Sequence, residues 1–151
     1  MKPEETIDFN LRWTWLNINR YYNDTATEYG SSMSVGMVLL NIDLENGTPS
    51  TKLGPKMGME PTSLSRIIKN MENEGLIARK SDDSDGRKSI VHLTALGLEK
   101  RDLAKNVVLD FNETVRKKLK ESDIQIFLKV LNTVNKTIEG KTYAILKEIS
   151  K

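Results

Sequence analysis

The chain has no cysteine among its 151 residues. Disulfides, thiolate catalysis, cysteine-ligated zinc fingers and cysteine-based redox sensing are therefore excluded. Histidine occurs once, as His92, so a multi-histidine metal site cannot be built. Charge of one sign is barely in excess, at a formal net charge of +2. That neither favours nor excludes nucleic acid, because binding to a duplex follows local charge rather than the total. No apolar run approaches the length needed to cross a bilayer. Met1-Lys2-Pro3-Glu4-Glu5 lacks the basic-then-apolar order of a secretion signal. The expectation is a cytoplasmic protein with no membrane partner. No nucleotide-binding glycine loop is present. Carboxylates and lysines are plentiful but form no recognisable catalytic constellation. An enzyme therefore ranks behind a binding protein, and neither cofactor nor metal is expected.

What the sequence does contain is mostly helical spacing, in a length that suits one domain. Ile7, Leu11, Trp15, Ile18, Tyr22 and Ala26 recur at helical intervals within residues 4–29. Phe9, Trp13 and Leu16 make a second partial stripe. A helix with two apolar sides is buried between two bodies, and the pattern does not name the second. Gly30-Ser31-Ser32 breaks this helix. Ser32 or Ser34 caps the next, whose core residues are Val35, Val38, Leu39 and Ile42. Asn46-Gly47 supplies a left-handed stop, and Thr48-Pro49 prevents continuation. Ser50 is expected to cap a short helix over residues 51–57, with Leu53 and Met57 inward and Gly58 at its end. Pro55 removes a backbone donor there and should tighten or bend the turn.

Glu60-Pro61 opens a further helix, with proline at a favoured first position. Leu64, Ile67, Ile68 and Met71 form its core stripe, and Gly75 ends it. Residues 76–80 predict a strand, residues 81–86 a turn rich in Asp, Ser and Gly, and residues 89–93 the return strand. Thr94 caps a long helix reaching about Lys120, striped by Leu103, Val107, Phe111, Val115 and Leu119. Ser122-Asp123-Ile124-Gln125 has the form of a capping box. The last helix carries Ile124, Phe127, Leu128, Leu131, Val134, Ile138, Ile145 and Leu146. The expected fold is mainly α with a small β-hairpin.

The chemistry sits in the centre. Opposite the stripe of the helix that opens at Pro61 lie Thr62, Ser63, Ser65, Arg66, Lys69, Asn70 and Asn73. The major groove of DNA is wide enough for such a helix. In helix-turn-helix proteins the first part of the second helix reaches base edges. Ser63 and Arg66 are thus the leading candidates for base or nearby phosphate contact, while Lys69 and Asn73 suit the backbone. The bland reading is a solvated polar face. The hairpin that follows weighs against it, because Arg87 and Lys88 sit at or just after its tip. A guanidinium can enter a narrow minor groove or fork onto a phosphate. Asp82, Asp83 and Asp85 share that loop and would repel phosphates unless the basic side faces the duplex. His92 reads as a half-exposed strand residue. Short helix, glycine turn, polar helix and basic hairpin, in that order, make a winged helix-turn-helix.

These residues also carry a family resemblance. The pattern runs from residues 53–58 through Pro61-Thr62-Ser63-Leu64-Ser65-Arg66-Ile67 to Met71-Glu72-Asn73-Glu74-Gly75-Leu76-Ile77. It closes with Asp85-x-Arg87, Leu93-Thr94 and Gly97. Together they closely resemble the MarR family of bacterial transcription regulators. The helix order resembles it over nearly the whole chain, and the specific motifs fall in the central third. Pro55 departs from the commoner family pattern. The resemblance implies minor-groove insertion for Arg87 and a bracing ion pair for Asp85, although Asp85-Gly86 also suits plain turn chemistry. It implies a homodimer on double-stranded DNA, joined through the N- and C-terminal helices. It further implies a small aromatic or apolar effector in a crevice lined by the first, second and fifth helices. Trp13, Asn17, Arg20, Tyr21, Met33 and Met37 are the candidates there, with ordinary packing as the alternative.

Residues 1–31 are then an N-terminal dimerisation helix, residues 32–96 the DNA-binding module, and residues 97–151 the helices completing the dimerisation region of one domain. One helix and one wing give a small contact, and two-fold pairing doubles it on a palindrome. Leu131, Val134, Ile138 and Ile145 suit a dimer seam, though an intrachain core would show the same spacing. The expected function is a ligand-responsive repressor. The runner-up is a winged-helix protein-interaction module without DNA binding.

Overall fold

A computed structural model describes residues 2–81 and 89–149, with side chains to residue 139. A short 3-10 turn, Pro3–Glu5, precedes helix α1, Ile7–Glu28. Thr6 caps α1, its hydroxyl accepting the Phe9 N–H at 3.4 Å. Gly30 adopts φ +65° and reverses the chain. Helix α2, Met33–Asn41, then starts on two caps: Ser32 Oγ accepts from Val35 N, and Asn23 Oδ1 of α1 accepts from Met33 N at 3.1 Å. Of the two serines considered, Ser32 is the cap.

Thr48–Pro49 does more than end a helix: it forms strand β1. Helix α3, Ser50–Met57, follows directly, and helix α4 spans Pro61–Asn73. Pro49, not Ser50, is the N-cap of α3, and no side chain caps it. Pro55 is accommodated within α3, which closes on Gly58 at φ +62°. The strands of the wing stem are β2, Ile77–Ser81, and β3, Ser89–Leu93. The sheet is antiparallel in the order β1-β3-β2, with Thr48 opposite Val91 and Ile77 opposite Leu93. The expected hairpin is therefore a three-stranded sheet. Proline is tolerated at Pro49 because β1 is an edge strand.

Helix α5, Ala95–Arg116, and helix α6, Glu121–Ile149, complete the chain. Thr94 caps α5, accepting from Gly97 N at 3.0 Å. This helix stops at Arg116 rather than near Lys120. The capping box on Ser122 does not form, because α6 begins at Glu121. Glu121 instead takes Arg116 at 2.8 Å and Gln125 at 2.8 Å through its two carboxylate oxygens. An acid in the first turn also suits the positive end of the helix dipole.

The chain divides into two compact units, Met1–Val108 and Leu109–Lys151. The first holds the core: Val38, Leu39, Ile42, Leu53, Leu64, Ile68, Met71, Leu76, Ile77 and Val91. Val35, Met57, Ile67 and Leu93 are partly buried against it. Thr48 is the buried polar member, its hydroxyl accepting from Asp43 N at 2.9 Å. Helix α1 has no fully buried residue within this chain, and Phe9, Trp13 and Leu16 are all exposed.

Candidate nucleic-acid interface

Helix α4 turns about 100° per residue. Its buried positions, Leu64, Ile68 and Met71, therefore share one side. Thr62, Arg66, Lys69, Asn70 and Asn73 fall together on the other, flanked by Ser63 and Ser65. All seven polar candidates are exposed. The helix is anchored through its apolar stripe, so this polar face is held rigidly outward. Among the described residues neither Arg66 nor Lys69 has an ion-pair partner. Both cations are thus available to an incoming anion.

The wing stem rises beside this helix. Gly75 at φ +72° ends α4, and Leu76 N bonds back to Met71 O at 2.9 Å. Arg79 of β2 then reaches Glu72 of α4, its Nε donating to Glu72 Oε2 at 2.9 Å while Nη2 converges on the same oxygen. This hydrogen-bonded pairing holds the Glu72 carboxyl below its ordinary range and pushes the Arg79 guanidinium up. Asp85, Arg87 and Lys88 lie outside the described residues.

At its base the stem is fixed to α5. Thr94 Oγ1 donates to Gly75 O at 2.6 Å, and Thr94 N donates to Leu76 O at 3.1 Å. A Cβ on Gly97 would stand 1.9 Å from Leu76 O, so only glycine lets α5 approach so closely. On the far side, His92 is half-buried against Gly47, as a structural strand residue.

Sequence reasoning passed over several exposed cations on α3 and β2. Lys52 and Lys56 are exposed on α3, and Arg79 and Lys80 on β2. The signal was available for Arg79 and Lys80, which continue the strand after the buried Ile77.

A cavity of about 240 Å³ opens between α1, α2 and α5 in the first unit. Met33 and Met37 line it. Trp13, Asn17, Arg20 and Tyr21 do not; the α1 residues that do are Trp15, Tyr22 and Ala26, joined by Tyr29 just past the end of the helix. The reason is helical phase. The lining set follows the first apolar stripe of α1, and the four others stand on its remaining faces. Gly36, Leu103, Ala104 and Val107 complete an apolar wall, with Lys100 as its charged member. Lys100 Nζ donates to Tyr29 O at 3.3 Å. Burial, with Tyr21 alongside, pushes the Tyr22 hydroxyl up.

Comparison with known proteins agrees with this geometry. Residues 32–89 match the model of the MarR family. The chain is 26% identical over 127 residues to the HTH-type transcriptional regulator SarZ of Staphylococcus epidermidis, covering 81% of this chain and 84% of that one. Its fold is similar to that of MepR from S. aureus in a DNA complex, with TM-score 0.80 at 16% identity, over 87% of this chain and 98% of that one. It is also similar to CouR from Rhodococcus jostii RHA1 bound to p-coumaroyl-CoA, with TM-score 0.77 at 21% identity, over 89% and 94% of the two chains. The fold is thus a winged helix-turn-helix flanked by long helices. The likeness to the MarR family model is confined to residues 32–89, the central part of the chain.

Proposed function

We propose that this protein is a homodimeric transcription regulator that binds a palindromic promoter site, represses from it and answers to a small effector. One observation carries the reading: α4 buries Leu64, Ile68 and Met71 and so presents Thr62, Ser63, Arg66, Lys69, Asn70 and Asn73 outward, beside a wing stem. In this reading Ser63 and Arg66 meet base edges, with Thr62, Ser65 and Asn70 behind them. Lys69 and Asn73 meet phosphates. Arg87 enters the adjacent minor groove and Lys88 contacts the DNA beside it, with Asp85 bracing the wing. Such a regulator works where the DNA is, in the cytoplasm, and performs no catalysis.

Pairing is supported by apolar surface left uncovered in a single copy. Phe9, Trp13 and Leu16 on α1 and Phe127 and Leu128 on α6 are exposed. Covering them with a second copy removes that surface from water. The terminal helices of residues 1–31 and 97–151 are then the dimerisation region, and residues 32–96 the reading head.

The cavity between α1, α2 and α5 is the natural effector site. Its volume suits a single ring rather than a large ligand, and its wall suits an apolar one. An effector changes DNA affinity only by binding one spacing of the two reading heads better than the other. With no thiol in the chain, signalling by cysteine oxidation is closed.

The test is selection of duplexes from a random library by the full-length protein. An enriched inverted repeat, bound with an affinity that falls steeply as salt rises, supports the reading. A library that stays unenriched, with no salt-sensitive binding, refutes it and favours a protein-interaction module.

A further inference from the structure

We propose that Glu72 and Arg79 are positioning residues that set the angle between the reading helix and the wing, so that both engage DNA in one event. The proposal rests on the DNA-binding reading above.

The chain reverses between these two side chains. The turn at Gly75 is closed by main-chain bonds from Gly75 N to Glu72 O at 3.0 Å and Leu76 N to Met71 O at 2.9 Å. Leu76 and Ile77 are buried and fix the foot of β2. From Arg79 onward the strand leaves the core, and Arg79, Lys80 and Ser81 are exposed. Among the described residues, the Glu72–Arg79 pair is the outermost side-chain tie between α4 and the stem. Two guanidinium N–H groups converge on one carboxylate oxygen. A planar fork of that kind fixes direction, which an ammonium on a flexible stem does not.

Electrostatics sharpens the point. Glu72 stands at the edge of the polar face, one turn after Lys69 and next to Asn73. An acid there repels the phosphates that the face would meet. Exposed ion pairs add little to folding. A carboxylate that opposes binding and stabilises the fold only weakly is accounted for by the orientation it gives Arg79 and the stem.

The experiment compares full-length wild type with Glu72→Gln, Arg79→Lys and the charge-swapped double variant, E72R with R79E. Affinity is measured on the duplex that wild type selects, and thermal unfolding is followed in parallel. Plain charge removal makes E72Q bind more tightly. The positioning role makes it bind about fivefold more weakly, the size of effect set by one exposed pair's geometry. R79K, with charge unchanged, loses a similar factor. The swapped pair recovers most of it, and melting temperatures move by only a few degrees or so. E72Q that binds as tightly as wild type overturns the proposal, as does a swap that folds yet recovers nothing. A wild type that selects no duplex overturns the DNA reading itself, whereas an unaffected E72Q beside a binding wild type overturns this proposal alone.

Discussion

Gly97 shows how much one hydrogen in place of a methyl can decide. A Cβ at this position would meet Leu76 O at 1.9 Å, where backbone on both sides must move. Gly97→Ala should therefore destabilise the protein by about 3 kcal/mol, the upper range for overpacking, read by denaturant unfolding. Gly36 makes the control. A Cβ there would sit 3.6 Å from the Ala104 Cβ, an ordinary contact, so Gly36→Ala should cost nothing and gain up to roughly 1 kcal/mol of helix propensity. If both substitutions cost the same, the close approach of α5 to the wing base is not the constraint inferred here. Arg66 is the residue-scale test of recognition. Arg66→Ala should lose about 1–3 kcal/mol of discrimination at one base position if it reads a base. Equal weakening on every duplex would assign it to phosphate. Gly97 was already visible in the sequence as part of a motif, but its reason was not, since nothing local says that a carbonyl 21 residues earlier lies against it.

The elements were legible where a single segment decides them. Strand β3 falls on the residues its alternation predicts, and α4 on the residues its stripe and Pro61 predict. Strand β1 was missed because Thr48-Pro49 has no strand signal of its own; its pairing with Val91 and Ile90 comes from a segment far away in the chain. The box on Ser122 failed because Arg116 and Gln125 both reach Glu121, an arrangement that only the folded turn assembles. The cavity lies between α1, α2 and α5, and on α1 its lining follows Trp15, Tyr22 and Ala26, the stripe that periodicity marks as apolar. The turn after α2 yields a pH prediction. Asp43 accepts the N–H of Asn46 at 2.8 Å and of Glu45 at 3.1 Å. These bonds, that to Asn46 foremost, hold its carboxyl below the ordinary 3.8. A depressed carboxyl contributes stability in full above its unfolded value and loses it as pH falls through the folded one. The stability gap between wild type and Asp43→Ala should thus be flat above about pH 5 and narrow below the ordinary carboxylate value. A gap that widens in acid would contradict this assignment.

At the scale of the whole molecule, a single copy leaves Phe9, Trp13 and Leu16 on α1 and Phe127 on α6 facing outward. The sequence reads α1 as a helix with two apolar sides, and the side bearing Phe9, Trp13 and Leu16 is exposed. If a second copy covers that surface, Phe127→Lys should shift the protein toward monomer in sedimentation, and specific DNA affinity should fall with it, because two linked binding sites hold a duplex far more tightly than one. A variant that stays dimeric with its affinity intact would remove α6 from the interface.

The most direct measurement is hydroxyl-radical footprinting of the full-length protein on its selected duplex. Two symmetric protected windows about one helical turn apart, roughly 34 Å, are the predicted result of the proposed arrangement, in which two copies set α4 in successive major grooves. A single protected window, or protection with no two-fold symmetry, would contradict the account.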